Sequence, residues 1–332
     1  MLAGHDRFAY SPITERPDFT WPGGRRLAIH LSLNLEHFAY NEGLGLAYSP
    51  GIPHPNTYNW AWREYGNRVG VWRLIEMCDA LKLPMSVLLN SEVYDHCPRV
   101  VKALRERGDE ILGHGRTNSE HQNNFDEAGE KKLIEDVSNA IRKNEGKSPK
   151  GWLSPGVNPS VVTPDLLQEA GYTYLMDWPM DDQPVWMKTR NGHILSLPYP
   201  HEVNDIPMIA LHHGTAPAFA DMVIDNFDEM LIQSKGQSLV YGIAIHAFLI
   251  GQPFRLRHFR RALEHIAKHG DKVWIATSGD IAQHFIDHAP IKPGLSIRLD
   301  VIRAFRRPLT SPGATQIRHR AMSHSDQARR SH

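Results

Sequence analysis

Residues 238–285 read SLVYGIAIHAFLIGQPFRLRHFRRALEHIAKHGDKVWIATSGDIAQHF. The first nine are almost uniformly apolar, rich in β-formers and too short for a buried helix, so they predict a strand that ends in His246. FRLRHFRRALEHIAKHG (254–270) has helical spacing and stops at a glycine. DKVWIATSGD (271–280) opens with another strand, and SGDIAQHF (278–285) follows as a capped helix. Strands separated by helices of this length belong to a parallel sheet, whose members need crossover connections.

The same alternation runs upstream. RRLAIHLSLNLE (25–36) alternates as a strand, 67–82 has helical spacing, and PMSVLL (84–89) is a short apolar run. CPRVVKALRERG (97–108) reads as a helix, DEILGH (109–114) as a strand, and residues 125–146 as a long amphipathic helix. KGWLSP (150–155) and YTYLMD (172–177) read as strands on either side of TPDLLQEAG (163–171), which has a Thr cap, Pro in its first turn and a closing Gly. GHILSLP (192–198) and IPMIALH (206–212) are short and apolar, and residues 218–236 are helical. Some seven alternations over about 260 residues predict an α/β fold: a distorted (β/α) barrel of seven or eight parallel strands with its active site at the strand C-terminal rim. The domain organisation that follows is an irregular arm over 1–26, a barrel over 27–289, and a basic tail over 290–332, read either as disordered or as an oligomer contact. Residues 37–66, rich in Gly, Pro and aromatics without a sustained period, read as a long functional loop, a candidate lid bearing Tyr40, Tyr48, Tyr58, Trp60, Trp62 and Tyr65.

Composition narrows the function. The chain has 332 residues, with 37 Lys+Arg against 37 Asp+Glu, so it lacks the overall basic charge of a nucleic-acid or anionic-membrane binder. No apolar run is long enough to span a membrane and no signal peptide is evident, which predicts a cytoplasmic protein. The two cysteines, Cys78 and Cys97, read as reduced thiols, with Cys78 on an apolar helix face. Neither GxGxxG nor a P-loop occurs, which removes support for a dinucleotide or nucleotide role. A small-molecule substrate is expected, with neither nucleic acid nor membrane as partner; the aromatic arm and basic tail are candidate contacts of a homo-oligomer.

Each candidate strand is apolar and then meets polar residues: Glu36-His37, Asn90-Ser91-Glu92, His114, Ser154, Asp177-Trp178, His246, and Thr277 with Asp280. In a β/α barrel these positions converge on one rim. Glu36 is the candidate general base, His114 sits between two glycines with open backbone around it, and His246 is a candidate proton donor. Asp177 joins them as a candidate catalytic group. Asn118, Glu120, Asp182, Trp178, Trp186 and Ser154 are candidate substrate contacts: Asn118 and Glu120 lie in a polar turn able to fix an amide-rich ligand, and the carboxylates beside Trp in 177–186 can read ring N–H groups while Trp stacks on a flat ring.

Three stretches, 16–38, 108–122 and 245–285, resemble in their order the polysaccharide deacetylase (NodB-homology) superfamily, and are most similar to its allantoinase and cyclic imide hydrolase branch. The resemblance implies a distorted (β/α) barrel and a hydrolase of carbon–nitrogen bonds other than peptide bonds. It also implies a divalent metal, zinc or similar, at Glu36, His114 and Asn118, with His37 and His121 as second choices. Asn118 stands where sugar deacetylases carry a second His, and an amide oxygen is a poorer zinc ligand than imidazole. The alternative is therefore no cofactor, with water activated by a carboxylate. The Arg that the superfamily places near Ser154-Pro155 is also missing, which weighs against a sugar N-acetyl substrate. Three functions stand: hydrolysis of a cyclic amide (imide, hydantoin or ureide); metal-dependent N-deacetylation of a saccharide or small amide, within carbohydrate metabolism; or a catalytically silent barrel acting as a binding subunit.

Overall fold

The structure is a computed structural model, and it describes residues 4–40, 42 and 51–289. In chain order the elements are β1 (Leu27–Leu35), α1 (Thr57–Tyr65), α2 (Val71–Leu81), β2 (Ser86–Leu89), α3 (Val93–His96), α4 (Pro98–Arg107), β3 (Glu110–Gly113) and α5 (Glu127–Glu145). They continue with β4 (Gly151–Trp152), α6 (Thr163–Glu169), β5 (Tyr174–Leu175), β6 (Val185–Thr189), β7 (Gly192–Ser196) and α7 (Ala216–Gln233). The last are β8 (Leu239–His246), α8 (Ala247–Ile250), α9 (Pro253–Ala267), β9 (Trp274–Ile275) and α10 (Ser278–His288).

The sheet order is β6-β7-β5-β4-β3-β2-β1-β8, with β9 joined to β1. Every pairing is parallel except β6 with β7. Irregular chain meets the free edge of β8: Val240 N–H donates to Asp182 O, and Ala244 N–H to Val203 O. This is the distorted α/β barrel expected, curled and closed in part by loops.

The pleat explains how the sequence fills it. All nine residues of β1 are buried. Its odd positions, Leu27 to Leu35, join the larger apolar cluster with helix residues such as Leu74, Val101, Val137 and Phe259. Side chains alternate faces along a strand, so Ala28, His30, Ser32 and Asn34 point into the lumen and Glu36 continues the row. Leu88, Leu112, Val240 and Ala244 belong with Ala28 to the inner cluster. Two residues beyond Leu88, Leu112 and Ala244 come Asn90, His114 and His246, at the ends of β2, β3 and β8. Register aligns them: Asn34 lies opposite both Leu88 and His246, and Leu88 opposite Leu112. Glu36, Asn90 and His114 therefore stand one layer above His246 at the same end of the barrel.

Local signals differ from expectation in one place. Residues 57–65 are a helix, not loop: Asn56 caps it by accepting from Asn59 N–H at 3.0 Å, and its many aromatics hide the helical period. Trp186 lies on β6, the antiparallel strand. The short apolar run Ile206–Leu211 is a π-helical turn. Residues 4–26 are irregular apart from two 3₁₀ turns and are tied down by Arg7–Asp165 (2.7 Å) and Arg16–Asp181 (2.6 Å). The two cysteines are free, and Cys78 is buried in the core. The 290–332 tail and Tyr48 lie outside the described residues.

The lumen leaves little room. His30 is fully buried and bonds Ser32 Oγ and Pro198 O; burial holds its pKa down to about 4, so it is neutral. Opposite it, a Cβ on Gly242 would fall 2.8 Å from His30 Nε2 and from Pro200 Cδ. Gly242→Ala is therefore expected to destabilise the fold by about 1–3 kcal/mol through overpacking, measured by denaturant unfolding against wild type.

Candidate active site

Glu36 stands at the centre of the rim. Its Oε1 lies 3.6 Å from His114 Nε2 and 3.5 Å from His246 Nε2, and its side chain is 8% exposed. These separations exceed a hydrogen bond, so the three groups line a shared space rather than closing on one another. Burial pushes the Glu36 carboxyl up, but the His246 and His114 rings outweigh it and hold the group well below the usual carboxylate range.

Each imidazole is oriented from behind. His114 Nδ1 is 2.7 Å from Leu153 O. A carbonyl only accepts, so Nδ1 carries a proton, and the ring turns Nε2 toward Glu36. His246 Nδ1 is 2.6 Å from Asp205 Oδ1, and the other Asp205 oxygen accepts from His246 N–H at 2.8 Å. Burial alone would lower the His246 pKa; Asp205 and Glu36 reverse this and raise it to about 9. Asp205, fully buried, went unread in the sequence because it lies in irregular chain rather than at a strand end.

A chain of amides fixes the polarity of the carboxylate's surroundings. His37 N–H donates to Asn90 Oδ1 at 2.9 Å. Asn90 Nδ2 then donates to His114 O and, at 3.3 Å, to Asn118 Oδ1. Asn118 is left to donate Nδ2 to Glu36 Oε1 at 2.5 Å. Because the chain begins on a backbone N–H and passes a backbone carbonyl, neither amide can be reversed without losing a bond. A metal at Glu36, His114 and Asn118 requires the Asn118 oxygen to face the ion, and here its amino group does. These residues do not fit that ion. Among the described residues, the His/Cys/Asp/Glu group able to hold one is His37, Glu64 and His96. His121 is not part of it; Gly156 of the 154–158 turn lies near its ring.

The other expected residues are distributed around this centre. Asp177 accepts from Ser154 N–H (2.6 Å) and Oγ–H (3.0 Å), and burial pushes its pKa to about 7. Both therefore brace the turn whose Leu153 carbonyl holds His114. Glu120 pairs with Arg116 at 2.8 Å. Trp186 donates to Ala289 O and packs in the inner cluster. Trp178 and Asp182 line two separate clefts, of about 420 and 570 Å³, neither lined by Glu36, His114 or His246. Trp178, Asp182 and Trp186 are thus placed apart from the carboxylate, because β6 and the loop before it turn away from the rim.

Arg63 was also unread. It lies on α1 with its guanidinium 4.5 Å from the Phe38 ring and 4.4 Å from the Phe248 ring. Burial lowers its pKa to about 10, and the Glu36 charge partly offsets this. Ser154-Pro155 carries no Arg, yet a cation reaches the field of Glu36 from another element. Of the aromatics in 37–66, Trp60 bonds Phe38 O and Trp62 packs on Phe248, whereas Tyr58 is exposed.

No family model matches the chain. It is 25% identical over 329 residues to a Schizosaccharomyces pombe protein of the polysaccharide deacetylase type, covering 86% of this chain and 97% of that one. A crystal structure of a Pseudomonas aeruginosa PAO1 protein, also of the polysaccharide deacetylase type, superposes with a TM-score of 0.74 at 27% identity, covering 84% of this chain and 97% of the other. The crystal structure of Puue allantoinase gives a TM-score of 0.76 at 26% identity, covering 83% and 96%. These relatives bear out the resemblance to the polysaccharide deacetylase superfamily and, within it, to the allantoinase branch. The expectation of an enzyme, a hydrolase acting on carbon–nitrogen bonds other than peptide bonds, agrees with them.

The Asp205–His246 pair makes a direct prediction. Asp205→Asn removes the nearest negative charge, so the His246 pKa should fall from about 9 by about 1–3 units. Imidazole NMR titration of the two proteins measures it; an unchanged value would remove Asp205 from the account.

Proposed function

We propose that the protein hydrolyses the ring amide of a small cyclic substrate of the imide, hydantoin or ureide type. The observation that carries this reading is the Glu36 carboxylate set between the Nε2 atoms of His114 and His246, with Asp205 behind the second ring. Glu36 is ionised and takes a proton from the attacking water. His114, held from behind by Leu153 O, turns Nε2 to that water and orients it. His246, protonated through Asp205, gives its Nε2 proton to the leaving ring nitrogen. Arg63 supplies positive field for the charge that develops on the carbonyl oxygen. The ring opens to an acid and a free amide or urea nitrogen; the proton on Glu36 then passes to solvent and His246 takes one back from it.

The shape of the rim supports a small substrate: Phe38, Trp60, Trp62 and Phe248 crowd the mouth beside Glu36. The free cysteines fit the cytoplasmic setting that belongs to this reading. Among the described residues, no helix is long and apolar enough to cross a membrane.

A second reading, N-deacetylation, is favoured by the description of the S. pombe relative. A panel of hydantoin, allantoin, succinimide, dihydrouracil and N-acetylglucosamine oligomers separates the two, since turnover of the oligomers alone would select deacetylation. On the substrate that responds, Glu36→Gln and His246→Ala should each lower kcat/KM by about 10²–10⁴-fold with the fold retained. Wild-type kcat/KM should fall as pH rises through about 9, where His246 loses its proton. Full turnover by both variants would sink the mechanism.

A further inference from the structure

His37 follows β1, Glu64 lies on α1, and His96 ends α3. The fold draws the three together so that one ligand atom from each lies within 4.8 Å of the others. His96 Nε2 is 2.8 Å from Glu64 Oε1, and the His37 and His96 rings lie 4.2 Å apart, centroid to centroid, at 42°. Glu64 is buried, with 11% of its side chain exposed. His37 Nδ1 is buried and has no hydrogen-bond partner among the described residues. Two imidazoles in contact, one with an orphaned nitrogen, do not stabilise each other by hydrogen bonding; a shared electrophile would satisfy both.

We infer that His37, Glu64 and His96 form a binding site for a zinc-class divalent cation at the barrel mouth, beside the Glu36 centre and separate from it. Two His and one carboxylate are a zinc donor set that leaves a fourth position for water. Magnesium and calcium prefer sites built mainly of oxygen. Tetrahedral ligands about 2 Å from an ion stand about 3.3 Å apart, so Glu64 and His96 need separate by only about half an ångström. The ion would join the end of β1 to α1 and α3, and so fix the helix that carries Trp62 and Arg63. The site lies one residue along from Glu36, where the amide chain through Asn118 leaves no metal position.

The test is zinc binding by the full-length protein after chelator treatment, read by competition with a chromogenic chelator, and by the visible spectrum after cobalt substitution. Wild type should bind one equivalent with a tetrahedral cobalt spectrum. His96→Ala and Glu64→Gln should each weaken that binding by about 100-fold or more, while Glu36→Gln and His114→Ala stay within about threefold of wild type. Circular dichroism checks each fold, and Glu64→Gln, which keeps the side chain's size, serves if His96→Ala does not fold. The inference is overturned if wild type binds no zinc, if the His96 and Glu64 variants bind as wild type does, or if the ion is lost from the Glu36 and His114 variants instead. Because the readout is the ion and not turnover, failure here leaves the hydrolase reading to its own substrate panel.

Discussion

A carboxylate with 8% of its side chain exposed must be compensated, or burial would protonate it. Around Glu36 the compensation comes from two rings and one amide, each held by a group that cannot exchange its role. Leu153 O fixes the His114 tautomer, Asp205 fixes His246, and the His37 N–H sets the direction of the Asn90–Asn118 chain. The ionised state of Glu36 is thus written into backbone positions at the ends of β1, β3 and β8. The β2 end contributes through Asn90, which spans two neighbouring turns.

The strand pleat made much of this legible beforehand. Residues 28, 30, 32, 34 and 36 face one way, and so do 88 and 90, 112 and 114, and 240, 242, 244 and 246. A parallel register then brings Glu36, His114 and His246 to one end, as the strand-end pattern suggested. What the pleat does not encode is what arrives from outside the strands. Asp205 precedes a π-helical turn, Arg63 and Glu64 ride on a helix whose crowded aromatics mask its period, and His96 closes a four-residue helix. Conversely, Trp178, Asp182 and Trp186 looked well placed after β5, but that segment leaves the rim to form the β6–β7 hairpin. Chemistry at strand ends was readable; chemistry brought by connections was not, because its position depends on tertiary packing.

The Asn at position 118 shows how one residue shapes a whole neighbourhood. An imidazole there would offer a lone pair. The amide offers a hydrogen, and the adjacent Asn90 makes that choice permanent. The same β1 end then presents His37 on the next residue, turned toward α1 and α3 instead of the lumen. Adjacent positions at the end of a strand face opposite sides, so a carboxylate for proton transfer and an imidazole for a separate task can sit one peptide apart.

The long pairing of β1 with β8 has a further consequence for biosynthesis. Eight successive residues of β1, Leu27 to Asn34, take their partners from Leu239 to His246. At ribosomal speeds of about 5–20 residues per second, the first strand waits roughly 10–40 s for its mate to emerge. Throughout that interval an apolar edge on the nascent chain is open to holdase chaperones, or to mispairing with a neighbouring polysome product. Yield on expression should therefore respond to translation rate and chaperone supply more than native-state stability would suggest.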